Sequence, residues 1–364
     1  MSNIKENQYI PDFLVTPGEV LDEYLEGLGM TQAELATRTG LAKKTINEII
    51  KGKSPLSPET SLKLERTLGR PAHFWNNLER QYQENQARLA ERTRLQANLD
   101  WLKKIPVSIM TKFGWIPKFA DKSLQLEAVL RFFGIAHPAQ WESVCNEYQI
   151  AFRKTAKIQG CKESLSAWLR QGEILAQQIY CAPFDKTVFS ETLNEIRKLT
   201  CEKPEIFVPK LIELCASSGV AVVFVPELPK IGVYGATRWL ADKPVIQLSL
   251  RYKSNDHLWF TFFHEAGHII KHGRKEVFLE GNTNDCEKEE EANKFARDKL
   301  IPPQSLQTFI QKYRLLLPAI HSFAAEIGIA PGIVVGRLQY DGLLPRNVGN
   351  KLKVFYKWPH EGNK

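Results

Sequence analysis

Long apolar runs and paired cysteines are both missing from this 364-residue chain. The densest apolar stretch, LWFTFFHEAGHII, is too short and too interrupted to span a bilayer, and the polar opening MSNIKENQYIP has no apolar export core. These features predict a cytoplasmic protein with no membrane partner. The six cysteines (Cys145, Cys161, Cys181, Cys201, Cys215, Cys286) never reach C-x-x-C spacing, which argues against a thiolate zinc site and predicts reduced thiols. Acid is in the minority as well: 49 basic against 41 acidic residues give +8, which permits a polyanionic partner without proving one. Apolar content is ample at 43%, and a chain this long divides into about two to four domains.

Residues 17–78 alternate short amphipathic helices with tight turns. Thr31 opens one with T-Q-A-E, a capping box in which Thr31 and Glu34 each satisfy an orphan N–H, and Gly40 ends it. In the next helix Ile46, Ile49 and Ile50 share one stripe. Ser57 and Pro58 start a third. Between Arg38 and Lys53 five basic residues face the single Glu48, a local patch. Were the second helix to enter a major groove, Lys43, Lys44, Thr45 and Asn47 would read bases, with Gln32, Lys51 and Lys53 on the phosphate backbone. The bland alternative is a bundle with a solvated lysine face.

The pattern predicts a helix-turn-helix bundle over 1–78, a solvated connecting helix over 79–104, and a helical region without catalytic motif over 105–217. A small sheet with a motif-bearing helix follows over 218–303, and a helical tail over 304–364. Three strands are predicted in GVAVVFVPEL, IGVYGATRWL and KPVIQLSLRY, with a short fourth near Glu276 to Leu279. SFAAEIGIAPGIVVGRL echoes ELATRTGLAKKTINEII at Gly328/Gly40, Ile329/Leu41 and Ala330/Ala42, so the tail holds a second helix-turn-helix-like unit. Its second helix is largely apolar, which suits packing better than DNA.

The sharpest motif is His264-Glu265-Ala266-Gly267-His268. Four helical residues bring both imidazoles to one side, about 6 Å apart along the axis, where they can grip one ion. Zinc suits two imidazoles and a third protein ligand with one position open. Glu265 flanks the metal and is placed to take a proton from water and return it to a leaving amine. The competing explanation is two core histidines bonded to carbonyls. The third ligand is expected from the acidic run 287–291: Glu289 shares a face with Ala292, Asn293 and Ala296, and Glu290 is the fallback. His272 lies too far along the helix to share the ion and is assigned to the helix-end dipole.

HEAGH together with Glu289 and Asn293 inside EEEANKFARDKLIPP resembles the ImmA/IrrE family of zinc-dependent peptidases over about residues 205–345. The resemblance implies a zincin-like fold, one divalent metal, usually zinc, and limited proteolysis, often of a helix-turn-helix repressor. Residues 17–82 resemble an XRE-like helix-turn-helix of the HigA antitoxin type. The fold expected is thus multidomain, mainly α with an α+β zincin-like domain. The function expected is a DNA-binding regulator with a zinc endopeptidase domain, catalytic residue Glu265 and ligands His264, His268 and Glu289. Its partners would be a double-stranded operator, a protein substrate such as a repressor or toxin, and a second copy in a homodimer. A strand in 231–250 is expected to hold substrate by edge pairing, with Tyr234 a candidate for the oxyanion. The rival is a repressor or antitoxin whose metal domain is structural, sensory or partner-binding.

Overall fold

The computed structural model describes residues 15–145, 162–229, 231–272, 278–279 and 286–358. The chain divides into two compact units, Met1–Asn98 and Leu99–Lys364.

Among its described residues the first unit holds five helices, α1 (Pro17–Gly27), α2 (Gln32–Thr39), α3 (Lys43–Ile50), α4 (Pro58–Leu68) and α5 (Ala72–Gln96). They close around Leu21, Leu25, Leu35, Ile46, Ile49, Leu64 and Trp75. Gly40 supplies the left-handed turn between α2 and α3, with φ 67°. The capping box predicted at Thr31 is only half present. Thr31 Oγ1 accepts from Glu34 N–H at 3.2 Å, but Glu34 Oε1 is drawn to Arg38, 2.6 Å away and one turn on. The reciprocal box forms instead at Thr16 and Glu19, at the start of α1. The stretch read as a connector is α5 itself as far as Gln96, followed by a 3-10 turn at Leu99–Lys103.

The second unit runs through α6 (Val107–Lys112), α7 (Lys122–Phe133), α8 (Trp141–Val144), α9 (Lys162–Gln178), α10 (Lys186–Lys198) and α11 (Pro204–Ser217). Then come β1 (Ala221–Phe224), β2 (Gly235–Leu240), β3 (Lys243–Leu248), α12 (Asn255–Lys271), β4 (Phe278–Leu279) and α13 (Cys286–Leu300). The chain finishes with α14 (Pro303–Lys312), α15 (Leu317–Ile327) and α16 (Pro331–Tyr340). It is mainly helical with one small sheet, ordered β1-β3-β2-β4, in which β1 runs parallel to β3 and the other pairs are antiparallel. No single helix among the described residues is long and apolar enough to cross a membrane.

Neither β2 nor β3 is an exposed strand, contrary to expectation. β3 lies between β1 and β2, β4 pairs with β2 at Ala236 and Thr237, and both strands are largely buried. Helices from the motif-poor stretch do the covering. On one face Trp168 O accepts from Gln247 Nε2 at 2.7 Å and Leu169 O from Arg238 Nη2 at 2.7 Å, so α9 lies across the sheet. On the other face Thr237 Oγ1 donates to Glu265 O at 3.0 Å, tying β2 to α12. Adjacent residues Thr237 and Arg238 thus point to opposite layers, as strand alternation demands.

The N-terminus of α12 has no side-chain cap of its own at Ser254. The C-terminal segment supplies partners: Asn255 N–H donates to Val354 O at 2.8 Å, and Lys353 pairs with Asp256 at 2.7 Å. Helix α16 approaches closely because Gly336 carries no side chain, since a Cβ there would lie 2.5 Å from Asp256 Oδ2. The turn from α15 to α16 repeats that from α2 to α3, with Gly328 at φ 67° and Ala330, like Ala42, extended before the second helix. Ile333, Val334, Val335 and Leu338 are buried in the core of this unit. The repeated turn serves packing there.

Candidate metal centre

Helix α12 is buried along nearly its whole length, so its polar residues are the informative ones. His264, Glu265 and His268 lie in its interior among Trp259, Phe262, Phe263 and Ala266, and all three are at most 1% exposed. Buried imidazoles need partners.

Helix α13 supplies the facing group. Ala292 and Ala296 are buried, and the same helical face carries Glu289 and Asn293 toward α12. Glu289 Oε2 lies 3.4 Å from His264 Nε2 and Glu289 Oε1 3.4 Å from His268 Nε2. The two Nε2 atoms are 3.0 Å apart. Ligands about 2.0–2.1 Å from one tetrahedral zinc would be about 3.3 Å from each other, so these separations suit a single small cation.

Hydrogen bonding on the far side of each ring fixes the protons. His264 Nδ1 donates to Asn293 Oδ1 at 3.0 Å, which leaves His264 Nε2 bare. His272 Nε2 lies 3.0 Å from Glu291 Oε2, an acceptor, so that nitrogen carries the proton. His272 Nδ1 then accepts from His268 Nδ1 at 3.0 Å, which leaves His268 Nε2 bare. Two bare nitrogens and a carboxylate therefore converge, a donor set that a cation satisfies.

Ionisation agrees. Burial lowers His268 to about 4, against the pull of Glu289, so the ring is uncharged at neutral pH. Burial raises Glu289, and only protonated His264 and His268 rings lower it by donating to it and lending charge, so with both Nε2 atoms bare a cation is what offsets burial of the carboxylate. His272 does end the helix, as its C-cap with N–H donating to His268 O at 3.0 Å, but its ring turns back to His268 Nδ1.

Glu265 sits beside this cluster against β2. A Cβ on Gly235 would lie 2.7 Å from Glu265 Oε1 and 2.6 Å from Thr261 Cγ2, so only glycine leaves room for the acid. Glu290 is turned to Arg297 and away from the cluster. Tyr234 stacks on Tyr252 with ring centroids 5.0 Å apart, and their hydroxyls are 2.8 Å apart.

In the first unit Lys43 and Lys44 are exposed on the opening turn of α3, with Thr45 and Asn47 half-buried on the same helix. Gln32 is the first residue of α2, and Lys51 and Lys53 are exposed just beyond α3.

Comparison with known proteins identifies both parts. Residues 21–75 match the helix-turn-helix family, and residues 215–338 match the IrrE N-terminal-like domain, Peptidase_M78. The chain joins a helix-turn-helix to an IrrE-like domain. On these matches the N-terminal unit is a DNA-binding regulator-like domain, and the C-terminal one is metallopeptidase-like in family. Among curated proteins, this helix-turn-helix chain is 32% identical over 63 residues to the uncharacterized HTH-type transcriptional regulator YddM of Escherichia coli K12, 17% of this chain and 67% of that one. It is 33% identical over 69 residues to virulence-associated protein I of Dichelobacter nodosus, 19% of this chain and 64% of the relative. The chain thus spans about two thirds of the length of these relatives. Similar solved structures include a HigA-family addiction module antidote protein from Coxiella burnetii, 26% identical, covering 23% of this chain and 92% of that one with a TM-score of 0.22. Another is Pseudomonas aeruginosa antitoxin HigA with the higBA promoter, 28% identical over 23% of this chain and 94% of that one, again with a TM-score of 0.22.

The sequence alone missed Gly235 and the structural use of His272. A glycine opening a strand opposite the motif was the available signal for the first. For the second, helical spacing from His268 was visible, but the pairing with Glu291 depends on how α13 packs.

Proposed function

We propose that this chain is a DNA-binding regulator whose C-terminal domain is a zinc-dependent endopeptidase, acting in the cytoplasm by limited proteolysis of a regulatory protein in a phage, stress or toxin-antitoxin circuit. One observation carries the reading: His264, His268 and Glu289 present their donor atoms to one point, 3.0 to 3.4 Å apart, with Glu265 next to His264 on the same buried helix. Zinc held there would supply Lewis acidity toward a water and a peptide carbonyl. Glu265 holds the proton that the attacking water gives up and delivers it to the leaving amine nitrogen. Asn293 and His272 keep both imidazoles in the ligating tautomer. The surrounding aromatic core excludes bulk water and strengthens each charge interaction.

The other half of the reading concerns DNA. Lys43, Lys44, Thr45 and Asn47 on α3 would meet base edges, with Gln32, Lys51 and Lys53 on the backbone, and a homodimer would read a two-fold operator. The deciding variant is Glu265→Gln. It should keep the metal and DNA affinity while abolishing cleavage of the regulatory protein and the dependent cellular response. If that response persists unchanged, the enzymatic reading fails and a non-enzymatic repressor with a structural or partner-binding metal domain takes its place.

A further inference from the structure

Beside the cluster the described residues enclose a cavity of about 620 Å³. It begins where the metal centre ends. Asn293, which holds His264, lines it, and so does Phe260, whose ring lies 6.1 Å from the His264 ring. Extended chain advances about 3.3 Å per residue, so a peptide lying beside His264 reaches the Phe260 lining, 6.1 Å away, within about two residues.

The lining has three chemical features. Tyr234, Tyr252 and Phe260 give it an aromatic surface, with the His257 ring 4.3 Å from that of Tyr252. Four cations line it, Arg297, Arg337, Arg346 and Lys353, against the one carboxylate of Asp256. Arg297 is engaged by Glu290, Arg337 by Asp341 at 2.6 Å and Lys353 by Asp256 at 2.7 Å, whereas the exposed Arg346 guanidinium has no ion-pair partner among the described residues. Third, Asp256 is 8% exposed, and only its Oδ2 is paired. Its Oδ1 is buried without a hydrogen-bond donor. The Asp256 carboxylate is buried, so it acts on the cavity through its charge: a phosphate or nucleic acid crowds several negative charges beside it, while the carboxylates of a peptide reach the exposed Arg346 singly on flexible side chains.

We propose that this cavity is a substrate subsite for an acidic segment of polypeptide, with the exposed Arg346 receiving a carboxylate and the aromatic surface an apolar neighbour. The position of the peptide rests on the peptidase reading; the charge preference does not, because binding alone reports it.

The test uses full-length Glu265→Gln protein and fluorescein-labelled hexapeptides that differ only in carrying Asp-Glu, Asn-Gln or Lys-Lys after a leucine. Anisotropy at low salt should give about tenfold tighter binding of the Asp-Glu peptide than of the Asn-Gln one, and weakest binding of Lys-Lys. The R346A variant, at an exposed residue, should reduce that preference to about twofold or less with an unchanged melting temperature. Equal affinities, or a preference that survives R346A, overturn the proposal. Displacement by ADP in place of acidic peptide also overturns it and marks a phosphate site. If the charge preference holds but wild-type protein cleaves no peptide, the peptidase reading alone has failed. Cleavage without charge preference means that the subsite alone has failed.

Discussion

His272 Nδ1 lies 3.0 Å from His268 Nδ1, while its other ring nitrogen lies 3.0 Å from Glu291 Oε2. A carboxylate on one helix thereby sets the tautomer of an imidazole on another through an intervening ring. Removing such an outer partner typically weakens metal binding about 10- to 100-fold. His272→Ala should therefore raise the zinc dissociation constant by about that factor in a chelator competition, with the fold intact. Glu291→Gln should cost less, because its amide oxygen still accepts from His272. Unchanged affinity in both variants would contradict the relay.

Replacing His264 or His268 with alanine should abolish stoichiometric zinc in elemental analysis, and Glu289→Ala should weaken it, because a tetrahedral site left with two protein ligands no longer holds the ion against water. Glu265→Gln should retain one equivalent. Loss of zinc in Glu265→Gln would make this acid a ligand in place of a base.

Gly235→Ala inserts a methyl group 2.7 Å from Glu265 Oε1 and 2.9 Å from its Cγ. The acid or β2 must move. Overpacking of this kind costs about 1–3 kcal/mol in stability, and a base displaced by about 1 Å loses about 100-fold in rate. Zinc content should stay at one equivalent, because Gly235 does not touch the ligands. A variant that cleaves normally would show that Glu265 has room to spare.

Acid should destabilise the metal-free chain. His268 is lowered from its ordinary 6.5 to about 4, so the unfolded chain binds the proton first, and stability falls as pH drops from 6.5 toward 4. The loss is on the order of 3 kcal/mol. Urea melts of chelator-treated protein at pH 7, 5.5 and 4 should show it, and His268→Gln should flatten the curve between pH 6.5 and 4.

Lys44, one of the residues assigned to DNA, has 85% of its side chain open and only a loose 3.8 Å pairing to Glu48. If Lys43 and Lys44 approach DNA, replacing either with alanine should weaken operator binding and lower the salt slope by about one unit for each phosphate that is no longer neutralised. Asn47→Ala should instead relax base preference, measured against a mutated half-site. Wild-type affinity and salt slope in all three variants would remove α3 from the interface.

The chain of residues was enough to locate the motif helix, the strands, the turn at Gly40 and the inward face of α13, because each depends on local rules of period and backbone conformation. Gly40 sits at φ 67° since its neighbours demand a left-handed turn, and Ala292 and Ala296 recur at helical spacing. The half-formed box at Thr31 shows the limit of such rules, because Arg38 competes for Glu34 at the same range as the backbone does. Packing decided the rest. Which strands are covered, how His272 turns back, why Gly235 must lack a side chain and where four scattered cations meet Asp256 all follow from segments distant in sequence coming within a few ångströms. No residue's type or spacing records those distances, since they are set by how helices and sheet bury one another's apolar faces.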